Sequence, residues 1–139
     1  MRKLKRFARL TMAERLILIR ALLVVGVARA TLWLLPIEAV RKAVARAAAG
    51  TAGHSRERIV WAVRVASRYL PRATCLTQAL AAQALLASSG YPSQVEIGVT
   101  KDESRRFRAH AWVVCQGQVV LGGQQVERYN PLMTWERQE

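Results

Sequence analysis

The chain has 139 residues, 52% of them hydrophobic, and a formal net charge of +13 from 22 Lys and Arg against 9 Asp and Glu. That length gives one domain with one core, and the apolar content excludes an intrinsically disordered chain. Two cysteines, Cys75 and Cys115, are too few for a secreted disulfide scaffold and fit a reducing compartment, so the protein reads as cytoplasmic. The positive field attracts anionic partners without saying which: acidic peptide, membrane or nucleic acid.

Met1-Arg2-Lys3-Leu4-Lys5-Arg6 has the charge of a signal-peptide start. The apolar stretch behind it carries Glu14, Arg15 and Arg20, however, and no small-residue cleavage site follows, which reads against secretion. The longest charge-free run, 21–28, falls well short of the ~20 apolar residues of a membrane span. The expectation is a buried or interfacial helix with no transmembrane span, leaving peripheral membrane contact open.

Thr11-Met12-Ala13-Glu14 has the form of a capping box, so a helix is expected from about Met12. Leu16, Ile19, Leu22, Leu23 and Val27 continue it at helical spacing, and Pro36 ends it or begins the next. A second helix is expected over 37–48. Gly50-Thr51-Ala52-Gly53 reads as a linker, dividing a basic helical segment, 1–53, that packs on the core or docks a partner, from a core over 54–139, within one compact domain. Ser55 caps a third helix, 56–69, which Pro71 closes; Thr74 then caps a fourth over 75–87, ending at Gly90. After Tyr91-Pro92, β formers alternate over 95–99, 109–114 and 118–121, with Gln116-Gly117 as a hairpin turn that pairs Cys115 with Gln118 and sets His110 across from Gly123. The fold class is therefore α+β, helices first and a small antiparallel sheet last.

The chemistry follows from placement. A cysteine attacks as thiolate, and the free N–H groups and dipole of a helix start favour that charge. Cys75 has this position. His110, on a strand between the small residues Ala109 and Ala111, is the candidate general base. Cys115, five positions further along that strand, falls on the other face about 16 Å away, so two free thiols are expected. Trp112 shares the face of His110 and, with Thr74, is a candidate wall of a substrate groove. Trp33 and Trp61 read as packing residues, His54 as a loop residue and Gln78 as a helix-surface residue.

Three stretches then resemble a known family: Pro71-Arg72-Ala73-Thr74-Cys75-Leu76-Thr77-Gln78-Ala79-Leu80-Ala81; Gly90-Tyr91-Pro92-Ser93 with Val95-Glu96-Ile97-Gly98-Val99; and Ala109-His110-Ala111-Trp112-Val113. Over residues 58–132 they look like the transglutaminase-like peptidases of lasso-peptide biosynthesis, the B proteins. The resemblance implies a papain/transglutaminase-like core in which Cys75 and His110 match the nucleophile and base and remove the leader from a ribosomally made precursor, with no cofactor and no metal. Many relatives carry a precursor-recognition domain ahead of the peptidase; the length here suggests the stand-alone half. The partners it implies are the precursor's leader region, a separate recognition protein and an ATP-dependent macrolactam cyclase. The family often supplies an Asp on the strand after the histidine, where this chain reads Leu121-Gly122-Gly123-Gln124. Asp102, in a charge cluster at 101–106, reads as a loop residue, so Glu127, Asn130, Gln124, Asp102 or a backbone carbonyl is left to orient His110.

Two other readings compete. One is a non-catalytic basic scaffold for peptide, membrane or nucleic acid; no nucleic-acid motif is present, and charge attraction by itself is unspecific. The other is a transglutaminase-like acyltransferase, in which an amine captures the same thioester.

Overall fold

A computed structural model describes residues 10–50, 53–70, 74–101, 104–122 and 130–136, with the backbone alone at 100, 101, 107, 108 and 130–136. Helix α1 (Met12–Leu34) opens on the expected capping box: the Glu14 N–H donates to Thr11 Oγ1 at 3.2 Å and the Thr11 N–H to Glu14 Oε1 at 3.3 Å. Pro36, which has no N–H to satisfy, stands at the entrance of α2 (Ile37–Ala48). Ser55 accepts the Arg58 N–H at 3.2 Å and starts α3 (Arg56–Tyr69). Thr74 starts α4 (Cys75–Ser88). At its far end the Tyr91 N–H reaches Leu86 O at 2.8 Å and the Gly90 N–H reaches Ala87 O at 3.1 Å. This Schellman closure requires the left-handed φ of +87° that Gly90 supplies.

Four antiparallel strands follow: β1 (Ser93–Lys101), β2 (Phe107–Cys115), β3 (Gln118–Leu121) and β4 (Asn130–Glu136), in the order β3-β2-β1-β4. Gln116 and Gly117 both have positive φ, 54° and 77°, as a tight two-residue hairpin needs, and Cys115 pairs with Gln118 as expected. Beyond that pair the expected register fails. Val114 faces Val119 but Val113 faces Leu121, so Val120 is a bulge and the partners of β2 move on by one residue. Strand β4 lies beyond the strands expected from the sequence, and it carries Pro131, a residue unfavourable inside a sheet. It is tolerated because β4 lies at the sheet edge, beside a bulge where Ile97 pairs with Met133 and Gly98 with Pro131.

One core joins all of this. Ile17, Leu18, Ala21, Val24, Val25 and Ala28 of α1 and Val40 and Val44 of α2 share a cluster with Ile59 and Val63 of α3, with most of α4, and with Val95, Ala111, Val113 and Leu121 of the sheet. Helix α4 is its axis, packed on α1, α2 and α3 and on β1 and β2. The residues before the Gly50 turn are thus built into the core shared with those after it. The sequence ruled out a span from its charge-free run. As a helix, α1 is 23 residues with a mean hydropathy of 1.9 over an 18-residue window, long and apolar enough to cross a membrane, yet its inner face belongs to this core.

Ile17 and Leu23 test that assignment on a single helix. Ile17→Ala, at 0% exposure, is expected to cost about 2–5 kcal/mol in urea denaturation. Leu23→Ala, at 49% exposure, should cost less than about 1 kcal/mol. Equal losses would mean that α1 packs differently.

Candidate active site

Cys75 is the first residue of α4, half-buried and packed against the core. The turn that holds it is fastened by Thr74, whose Oγ1 accepts the Thr77 N–H at 3.2 Å and lies 3.0 Å from Thr77 Oγ1, while Thr74 O accepts the Gln78 N–H at 3.0 Å. A helix has no internal acceptor for its first N–H groups. With the Thr77 N–H taken by the cap, those of Cys75 and Leu76 are the ones this helix start can offer to an anion. Thr74, a groove candidate from the sequence, is thus seen in the cap.

His110 is fastened from the sheet. Its Nε2 lies 2.8 Å from Gly122 O. A carbonyl only accepts, so Nε2 carries the hydrogen, and in the neutral ring this is the tautomer a general base at Nδ1 requires. This is where the bulge matters: it carries Gly122, with φ +75°, back over β2, close enough that an added Cβ would stand 2.9 Å from Ala111 O and 3.2 Å from Trp112 Cα. No side chain but hydrogen fits there. Of the candidates to orient His110, a backbone carbonyl is the one seen to do so. Gln124, Glu127 and Asp102 lie outside the described residues, and Asn130 is described by its backbone, paired with Val99.

The ring of Trp112 lies 6.0 Å from that of His110, centroid to centroid, at 31°. Its Nε1–H donates to Glu96 Oε2 at 2.7 Å, across the sheet pair that joins the two residues. The expected groove wall is corrected here: Trp112 is 1% exposed, leaving it no open face to offer a substrate. Cys115 is buried at the opposite end of β2, 3.6 Å from Pro92 O, and both thiols are free.

The Gln83 side chain donates to Ser93 O at 3.3 Å and ties α4 to the start of β1. From that tie, Cys75 lies ~12 Å back along the helix and Gly98, the partner of His110, ~17 Å along the strand. Alternation on β2 sends Ala111 and Val113 into the core shared with the helices, and His110 with Trp112 to the other face. The strand thus gives Ala111, not His110, to the core face.

Residues 18–134 match the model of the transglutaminase-like superfamily. The chain belongs to the transglutaminase-like superfamily. It matches no curated protein and no solved structure. The α+β class read from the sequence, with a cysteine at a helix start and a small antiparallel sheet behind it, is that of a transglutaminase-like domain. Among the described residues no three His, Cys, Asp or Glu side chains gather to hold a metal. A groove of about 530 Å³ between α3 and β3, lined by Trp61, Arg64, Arg68, Val119 and Val120 among others, includes neither Cys75 nor His110.

Two substitutions probe these fastenings. Thr74→Ala should lower stability by about 1 kcal/mol in chemical denaturation, with Thr74→Ser close to wild type. Gly122→Ala should lower it by at least about 1–2 kcal/mol and abolish the Nε2–H tautomer signature in the ¹⁵N spectrum of His110. An unchanged spectrum would detach Gly122 from the imidazole.

Proposed function

We propose that this transglutaminase-like protein is a cysteine peptidase that removes the leader from a lasso-peptide precursor, with Cys75 as nucleophile and His110 as general base. The observation that carries the reading is a cysteine on the capped first turn of a core helix together with a histidine, on a strand this helix packs against, whose Nε2–H is held by a carbonyl. In this reading the Cys75 sulfur and the His110 imidazole come together at the start of α4.

In this mechanism the Cys75 thiol gives its proton to Nδ1 of His110 and Sγ adds to the scissile carbonyl. The oxyanion is received by the Cys75 and Leu76 N–H groups. Collapse breaks the C–N bond, the leaving amine takes the proton from His110, and a thioester remains. Water, deprotonated by His110, then hydrolyses the thioester to a carboxylate and frees the thiol. The Gly122 carbonyl keeps Nε2–H in place throughout and steadies the imidazolium when it forms.

The charge of +13 supports an acidic leader drawn by long-range attraction. A small peptidase of this kind gains affinity from a separate leader-recognition protein that holds the precursor nearby, and an ATP-dependent cyclase would act on its product in the cytoplasm.

The test is mass spectrometry of the precursor peptide incubated with its recognition protein and each variant. Wild type and Cys115→Ala should release the leader, Cys75→Ala should not, and His110→Ala should be slower by about 100-fold or more. Cleavage that survives Cys75→Ala sinks the reading, and a product that has gained an amine instead of water would make the protein an acyltransferase. Alkylation of Cys75 by iodoacetamide at neutral pH isolates the pair: the rate should fall about tenfold in His110→Ala, and equal rates would remove His110 from the site.

A further inference from the structure

Among the described residues, nine large hydrophobic side chains are exposed, and seven of them, Met12, Leu16, Ile19, Leu23, Trp33, Leu34 and Leu35, belong to α1 or its end. At about 100° per residue, Met12, Leu16, Ile19, Leu23, Trp33 and Leu34 all fall within about 60° of one line along α1. The buried residues Ile17, Leu18, Ala21, Val24, Val25 and Ala28 fall within about 60° of the opposite line. The helix is therefore apolar on two opposite faces, one inside the domain and one outside. Arg15 and Arg20 stand at the two borders of the outer face.

We infer that the outer face of α1 lies in the surface of an anionic bilayer, parallel to its plane. Three observations favour lipid over a protein partner. The first is charge: the chain carries +13, and Arg2, Lys3, Lys5, Arg6 and Arg9 directly precede the helix. An apolar stripe bordered by basic residues is the pattern of an interfacial helix, and here the Arg20 guanidinium also donates to Ala49 O at 2.6 Å. The second is a depression of about 340 Å³ beside the stripe, where Leu16, Ile19 and Leu23 meet Arg20, Gly50 and His54. An apolar floor with a basic rim matches an acyl chain below a phosphate. The third is Trp33, 73% exposed near the helix end, the residue type that favours the water–membrane boundary. A spanning orientation would require the inner face of α1 to leave the core it shares with α2, α3 and α4, so the helix lies flat. For the same reason, deleting residues 1–29 would remove core side chains along with the surface; the test needs point substitutions.

The experiment is co-sedimentation of the full chain with phosphatidylcholine vesicles and with vesicles of phosphatidylcholine mixed with phosphatidylglycerol. Wild type should partition onto the mixed vesicles, less so as salt is raised. Leu16→Gln/Ile19→Gln/Leu23→Gln should reduce that partition about tenfold or more at an unchanged thermal midpoint. No binding, equal binding by the triple variant, or a wild-type dimer that the triple variant converts to monomer would each overturn the inference, the last in favour of a second copy of the chain. Quenching of tryptophan fluorescence by brominated lipid gives a readout that does not depend on the triple variant folding. It should be largely lost in Trp33→Phe, and quenching that is the same in both proteins would overturn the inference.

Discussion

The burial of α4 between three helices and a sheet fixes where Cys75 can stand. A helix packed on both sides has to be thin, and α4 has Ala79, Ala81 and Ala82 buried among Leu80, Leu85 and Leu86. Its direction is then determined by its ends. The Schellman turn at Gly90 and the Gln83 tie to Ser93 hold the far end against the start of β1, so the near end lies at the other end of the domain. A side chain at the start of such an axis needs no loop to position it: sliding or rotating α4 would disturb the packing of α1, α2, α3, β1 and β2 together.

His110 is held by a different principle. A carboxylate that orients a histidine also stabilises the imidazolium by charge, whereas a carbonyl fixes tautomer and orientation with a dipole alone. Among the described residues the contact seen is the carbonyl's, and it asks for a particular backbone shape. A carbonyl can be aimed only by the path of its own chain, and here the path needs a bulge at Val120, a left-handed glycine at 122 and the absence of a Cβ against Ala111 and Trp112. Gly122 is thus needed for the carbonyl contact that holds His110.

This explains what could be read from the sequence and what could not. Helix boundaries were legible because Thr11, Ser55, Thr74, Pro36 and Gly90 act locally, through caps and fixed dihedrals, and each does so at its expected position. The hairpin at Gln116-Gly117 was legible for the same reason. The bulge was not, since nothing in Val119-Val120-Leu121 distinguishes an in-register strand from one with an extra residue. The register error hid the partner of His110, although a carbonyl remained among the open choices. Strand β4 was missed because whether Pro131 is tolerable depends on which edge of the sheet it reaches, and that is decided by tertiary packing.

Helix α1 marks the other limit of sequence reading. Periodicity separates inside from outside only when the two faces differ in polarity. On α1 both are apolar, and the hydropathy pattern gives no sign of which one the core takes. Packing decides: Ile17, Ala21, Val24 and Ala28 fit against α2, α3 and α4, and the leucines on the opposite side are left outside. A stripe of this length in water invites association. What keeps such a surface selective is its border, because arginines beside it resist burial against an apolar protein face and are at home beside phosphate. The excess of basic residues, uninformative as a single number, thus gains meaning from where it meets the exposed apolar face.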